Sequence, residues 1–286
     1  MTSNNLTMVP VLTTPAGCCL TGENWQATGI KTASFYLSAL LMKPGFENLK
    51  TLSNLATYVG WQDKLVLNAA LSKRDSEGRY LLRSEYDGSR SAYTLQDILM
   101  LLTRLEPDVV LLPEGVSDNS SIHWQALPEK IFLFLSIADL PKIDDNTRPY
   151  GVYIDYDAMG SFSELLDALN RYRGIPCYIM GSLSLSLMRS LCDEGVRYVE
   201  SNIPASDGCV GDVYHSQGII SLKSCDHAHQ FEVIDSTCQC PVCQQKLTRA
   251  YLHHLLEHTP LLAQRYLVQH NMYYSHAALN KVNASG

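Results

Sequence analysis

The chain has 286 residues, 46% of them hydrophobic and 18% charged, which is enough apolar material for a large core and excludes a disordered chain. Its formal net charge of −7 excludes strong non-specific attraction to nucleic acid, but still allows a local basic patch or a partner subunit that carries the charge. No apolar run reaches the roughly 20 residues that a membrane-spanning helix needs.

The N-terminal stretch MTSNNLTMVP lacks the basic start and apolar centre of a secretory signal. A cytoplasmic, reducing setting is therefore expected, in which 9 cysteines serve as thiols or metal ligands and not as disulfides. RYLLRSEYDGSRSAY alternates in the manner of a strand and carries a turn signal at Asp87-Gly88, which predicts a hairpin. Thr94-Leu-Gln-Asp97 resembles a capping box with Asp in the usual Glu or Gln position. It opens a helix that places Ile98, Leu101, Leu102 and Leu105 on one face, and Glu106-Pro107 ends it. The short apolar run DVVLLPE (Asp108–Glu114) has the pattern of a parallel strand covered on both faces. IFLFLSIADL (Ile131–Leu140) is a buried strand or helix.

The rhythm then repeats. Strands are expected at Gly151–Asp157, Pro176–Gly181 and Arg197–Pro204, with helices at Phe162–Gly174 and Ser186–Gly195 between them. Strand–helix alternation at this spacing predicts a parallel α/β sheet, and the length and number of units favour closure into a (β/α)8 TIM-type barrel. Glu114, Asp155, Asp157, Gly181 and Glu200 fall at the C-terminal ends of these strands, the edge at which such a barrel carries its site. For any single carboxylate, a strand end running into solvent is the weightier reading. Glu200 resists it best, because it sits between Val199 and Ile203 near the end of an apolar strand. After Pro204 the pattern changes to a glycine-punctuated antiparallel hairpin, DGCVGDVYHSQGIISLKS, and two helices close the chain. The expected domains are a barrel over 1–205 and, over 206–286, an inserted hairpin, a zinc-binding subdomain and the closing helices.

Between the hairpin and those helices lies CQCPVCQQ. Cys238, Cys240 and Cys243 place three soft ligands in one tight loop, a spacing that suits tetrahedral zinc. His253, His254, His258, His270 and His276 are the candidates for the fourth position. The favoured one is His270, 27 residues after Cys243, because that separation allows one helix out and a second back to the loop. Such a closed site is structural and would pin the terminal helices to the barrel. DHAH at Asp226–His229 is read as a solvated turn. Cys18, Cys19, Cys177, Cys192, Cys209 and Cys225 are expected to pack as small hydrophobes.

The run CQCPVC…RAYLHHLL…HN resembles the zinc-binding C-terminal segment of the tRNA-guanine transglycosylase family. A looser likeness runs upstream through SEYDGSRSAYT, PDVVLLPEG, YIMG and GVRYVESNIP, and covers most of the chain from about Trp25, with the family's N-terminal region shortened. The resemblance implies a TIM barrel with a Cys3His zinc subdomain that exchanges guanine at the tRNA wobble position for a 7-deazaguanine base. It also implies Cys238, Cys240, Cys243 and His270 as structural zinc ligands.

At the catalytic positions this sequence departs from the family. Glu200 in YVESNIP stands where the family has its aspartate nucleophile, and Asn68 in LVLNAALS where it has an acid/base aspartate. An amide cannot shuttle a proton, and one added methylene moves a carboxylate by about an ångström in a geometry that tolerates little displacement. Arg74–Gly78 falls in the following loop. Glu114 takes the base-recognising position, and GVYIDYD replaces a glycine pair. If activity is kept, Glu200 and Glu114 are the implied catalytic pair, with Asn68, Glu114, Asp155 and Gly181 lining the substrate. The pattern looks most like the non-catalytic accessory subunit of queuine tRNA-ribosyltransferase. Such a subunit is expected to dimerise through its zinc subdomain, with itself or a catalytic paralogue, and to meet tRNA through that complex. Two other readings stand beside it: a divergent base-exchanging or base-releasing glycosyl enzyme with Glu200 as nucleophile, and a barrel that binds a purine-like ligand without turnover.

Overall fold

The computed structural model describes residues 6–117, 124–142 and 148–285. The strands among the described residues are β1 (Thr7–Val9), β2 (Thr32–Tyr36), β3 (Lys64–Asn68), β4 (Tyr80–Arg83), β5 (Arg90–Tyr93), β6 (Val109–Leu111), β7 (Phe132–Ser136), β8 (Tyr150–Asp155), β9 (Cys177–Met180), β10 (Val196–Glu200), β11 (Asp212–His215) and β12 (Gly218–Ser221). They belong to two compact units, Thr32–Met180 and Met1–Lys31 with Gly181–Gly286.

In the Thr32–Met180 unit, six strands lie parallel in the order β2-β3-β6-β7-β8-β9. Register runs from Tyr36↔Asn68 through Asn68↔Leu111, Leu111↔Phe134 and Ser136↔Tyr153 to Asp155↔Met180. Unbroken burial along LVLN, VVL and LFLS explains why these strands show no alternation: both faces are covered. IFLFLSIADL thus resolves as a strand, β7. The helix Leu95–Leu105 supplies part of the cover, burying Leu95, Ile98, Leu101, Leu102 and Leu105. Its start is the expected capping box: the Thr94 hydroxyl accepts from Asp97 N at 3.1 Å, and the Asp97 carboxylate accepts from Thr94 N at 2.9 Å. β4 and β5 form the expected hairpin, and its turn is set by Gly88 at φ +72°.

In the other unit, β1 lies parallel to β10 with Val9 opposite Glu200. The strand expected over 197–204 stops at Glu200, and Ile203–Cys209 is a helix. Pro204, in the first turn, needs no N–H there. Gly208, expected to open the hairpin, instead lies inside this helix where it crosses the long helix Pro260–Ser285. A Cβ at Gly208 would come within 2.8 Å of Val268 N, so this glycine permits close helix contact and makes no turn. The antiparallel hairpin is the shorter β11–β12. Val213, Leu222, Ile234, Leu252 and Leu267 pack around the three clustered cysteines.

Six parallel strands in one unit and two in the other supply the eight of a (β/α)8 TIM-type fold, with the cysteine loop in a C-terminal subdomain. Among the described residues, no helix is long and apolar enough to cross a membrane.

Candidate metal centre and strand-end residues

The cysteine loop folds as a ligand cage because of its local chemistry. Asp235 accepts from Thr237 N at 2.8 Å and from Ser216 N at 3.1 Å, which turns the chain into the loop and ties it to the end of β11. Cys240 then caps the short helix Pro241–Gln244, with Pro241 in its first turn. Cys243 N donates to Cys240 Sγ at 3.3 Å and Cys240 N to Cys238 Sγ at 3.5 Å.

His270 arrives from the long closing helix. Its Nδ1 lies 3.9, 3.3 and 3.5 Å from the sulfurs of Cys238, Cys240 and Cys243, and all four ligand atoms lie within 4.8 Å of one another in a buried cluster. For a tetrahedral zinc ion the expected N···S separation is about 3.6 Å, so the spacing matches. On the far side of the ring, Nε2 donates to Tyr214 O at 2.7 Å, which leaves Nδ1 as the free lone pair that a metal requires. Asn271, next along, accepts from Tyr214 N at 3.0 Å and donates to Asp212 O at 2.8 Å and Pro204 O at 3.0 Å. It fastens the helix that carries His270 to β11.

The charge state also fits. Hydrogen bonds with Cys240 and Cys243 drive the Cys238 thiol down, and those with Cys238 and Cys243 drive Cys240 up. Burial opposes charge on His270, but hydrogen bonding to Cys238 and Cys243 pushes it up to about 9, a demand for positive charge that a metal ion at Nδ1 would meet in place of a proton. The cluster therefore calls for a buried cation, and its S3N donors fit zinc. The other histidines are otherwise employed or exposed. His253 Nδ1 donates to Leu222 O at 2.8 Å, His276 contacts Asn280 at 3.1 Å, and His254 and His258 face solvent.

Of the remaining cysteines, Cys177 is buried as expected. Cys18 and Cys225 are exposed and do not pack as expected, each lying in a short 3-10 turn at the surface. The DHAH segment begins in a surface 3-10 turn, Cys225–His227, capped by Ser224.

The strand-end residues fall in both units. In Thr32–Met180, Asn68 ends β3 and its amide is committed: Oδ1 accepts from Ala70 N at 3.0 Å, and Nδ2 contacts Met180 Sδ at 3.4 Å. Glu114 follows β6 and Asp155 ends β8. Burial, Asp139 and Asp155 push the Glu114 carboxyl up, and the guanidinium of Arg74 pulls the other way. Asp155 is likewise raised, chiefly by burial. The sequence reading missed Asp139, which is 1% exposed and accepts from Gly115 N at 3.0 Å and Ser117 Oγ at 2.7 Å. No motif marks it, since its partners come from another strand's loop. Tyr153, also buried, stands in the field of Glu114. In the other unit Glu200 is fully buried at the end of β10, and its carbonyl accepts from Gly181 N at 3.2 Å. Ser201 joins the same corner, donating to Leu183 O at 2.8 Å.

Comparison with known proteins agrees with this architecture. A family model described as Queuine tRNA-ribosyltransferase matches residues 157–285. The chain is 23% identical to the queuine tRNA-ribosyltransferase of Granulibacter bethesdensis, over 94% of this chain and 82% of the relative. It is 22% identical to the protein of that name from Treponema denticola, over 96% and 84%. A shorter alignment, 35% of this chain and 26% of the relative, reaches 35% identity with the Clostridium perfringens protein.

Proposed function

We propose that the chain is a member of the tRNA-guanine transglycosylase family and serves as a non-catalytic accessory subunit in the queuosine modification of tRNA. The observation that carries this reading is Asn68. At the position assigned to an acid/base aspartate stands an amide that cannot exchange a proton, already bonded to Ala70 N and Met180 Sδ. Glu200 in the nucleophile position adds a methylene to a geometry with little tolerance. Within this reading Cys238, Cys240, Cys243 and His270 hold a structural zinc ion, the segment 206–286 is the zinc-binding subdomain beside a barrel over 1–205, and the partner is a catalytic paralogue met through that subdomain. tRNA and its 7-deazaguanine-type base would be engaged by the complex, in the cytoplasm, with Glu114, Asp155 and Gly181 as remnants of the base site. The direct test mixes purified protein with tRNA and labelled guanine. No exchange is expected from the protein alone and exchange is expected with the catalytic paralogue added; exchange by the chain alone overturns the proposal.

One observation favours a second reading. Glu114 is held towards its neutral form by burial and two neighbouring carboxylates, the condition an acid/base catalyst needs. An active base-exchanging or base-releasing enzyme would use it with Glu200 as nucleophile. Unchanged activity in Glu200→Gln would rule that reading out.

A further inference from the structure

Two thiols outside the metal cluster face each other. Cys19 ends the 3-10 turn Gly17–Cys19 that follows β1, and Cys209 ends the helix Ile203–Cys209 that follows β10. They are 190 positions apart in the chain, yet their sulfurs lie 3.6 Å apart. A disulfide needs about 2.0 Å, so the two sulfurs must draw closer by about 1.6 Å to bond. The backbone on both sides is held in place. Trp25 Nε1 donates to Gly17 O at 3.1 Å and Cys19 N to Ala16 O at 3.2 Å, while Gln264 Nε2 donates to Cys209 O at 3.2 Å. The neighbouring Cys18 is turned aside, its sulfur on Leu12 O at 3.4 Å.

We propose that Cys19 and Cys209 form a thiol–disulfide exchange site that takes a low-molecular-weight disulfide such as glutathione disulfide and closes reversibly into an intrachain disulfide. Burial and the adjoining Cys19 sulfur push the Cys209 thiol up to about 12, and Cys209 acts as the second, resolving thiol. The Cys19 thiolate attacks one glutathione sulfur, the glutathione S–S bond breaks, and one glutathione leaves as a thiolate. Cys209 then loses its proton to solvent and attacks the Cys19 sulfur of the mixed disulfide, which expels the second glutathione. One protein disulfide is formed, two cysteines are oxidised, and one glutathione disulfide is reduced to two thiols. The bond would tie the segment after β1 to the helix after β10, clamping the strand pair in which Val9 lies opposite Glu200. By closing a loop of this length it restricts the unfolded chain and raises stability. The proposal is independent of whether the chain is catalytic.

The test incubates zinc-loaded protein with oxidised or reduced glutathione, alkylates free thiols, digests, and maps cysteine peptides by mass spectrometry, with metal content and thermal melting measured in parallel. Oxidised samples are expected to yield a Cys19–Cys209 peptide pair lighter by two hydrogens, with retained metal and a higher melting temperature, all reversed by dithiothreitol. Cys209→Ser should abolish the pair and leave glutathione on Cys19. The proposal is overturned if wild-type Cys19 and Cys209 are recovered separately, alkylated or glutathionylated, or if the bond forms instead with Cys18 or Cys225.

Discussion

Glu114 shows how the surroundings of one side chain set its proton affinity. Its backbone carbonyl accepts from Tyr80 Oη at 2.6 Å, which holds in place the stretch of chain that carries the carboxyl group. Burial and the charges of Asp139 and Asp155 raise its proton affinity. A carboxyl whose folded-state pKa is raised contributes stability below its ordinary range, and that contribution is lost as pH rises through the raised value. Glu114→Gln, which is neutral throughout, should therefore be more stable than the parent at neutral pH, with the difference vanishing by about pH 4. Urea midpoints at the two pH values check this, and equal midpoints at neutral pH would remove the electrostatic account. At this scale the sequence marked Glu114, Asp155 and Glu200 by position alone, at the ends of apolar strands. It could not mark Asp139, whose role depends on Gly115 and Ser117 approaching from another loop.

The helices divide into those readable from local rules and those set by contact. The Leu95–Leu105 helix carries its start in Thr94 and Asp97 and its buried face in a 3.6-residue pattern, so it was legible in full. The Ile203–Cys209 helix was not. It is short, begins beside Pro204, and contains Gly208, which locally signals a turn. Its reality comes from the Pro260–Ser285 helix, whose backbone passes so near Gly208 that no side chain fits. Gly208→Ala should therefore destabilise the protein by about 1–3 kcal/mol through overpacking, despite alanine's better helix propensity. Chemical denaturation measures the change; a neutral or stabilising result would show that the crossing can relax. Because Cys209 ends this same helix, the crossing also helps to set where its sulfur lies.

For the molecule as a whole, the buried S3N cluster is the feature on which the C-terminal subdomain is organised, since β11, the cysteine loop and the closing helix meet there. Three sulfurs and an imidazole forced together without a cation would repel or hold protons at the expense of packing. Removing metal with a strong chelator should lower the melting temperature by several degrees, and His270→Ala should do the same while reducing bound zinc below one per chain. Melting with parallel metal analysis tests this; a chelator-insensitive protein that never contained metal would refute it. The sequence by itself determined the parallel α/β alternation, the capped helix, the β4–β5 hairpin and the Cys3His donors, because each is written in spacing along a few dozen residues at most. Tertiary structure alone decided which ring nitrogen of His270 faces the sulfurs, that Asn68 is bound to Met180, and that Cys19 meets Cys209. Those outcomes depend on which distant segments are brought within a few ångströms, and no local periodicity encodes such a distance.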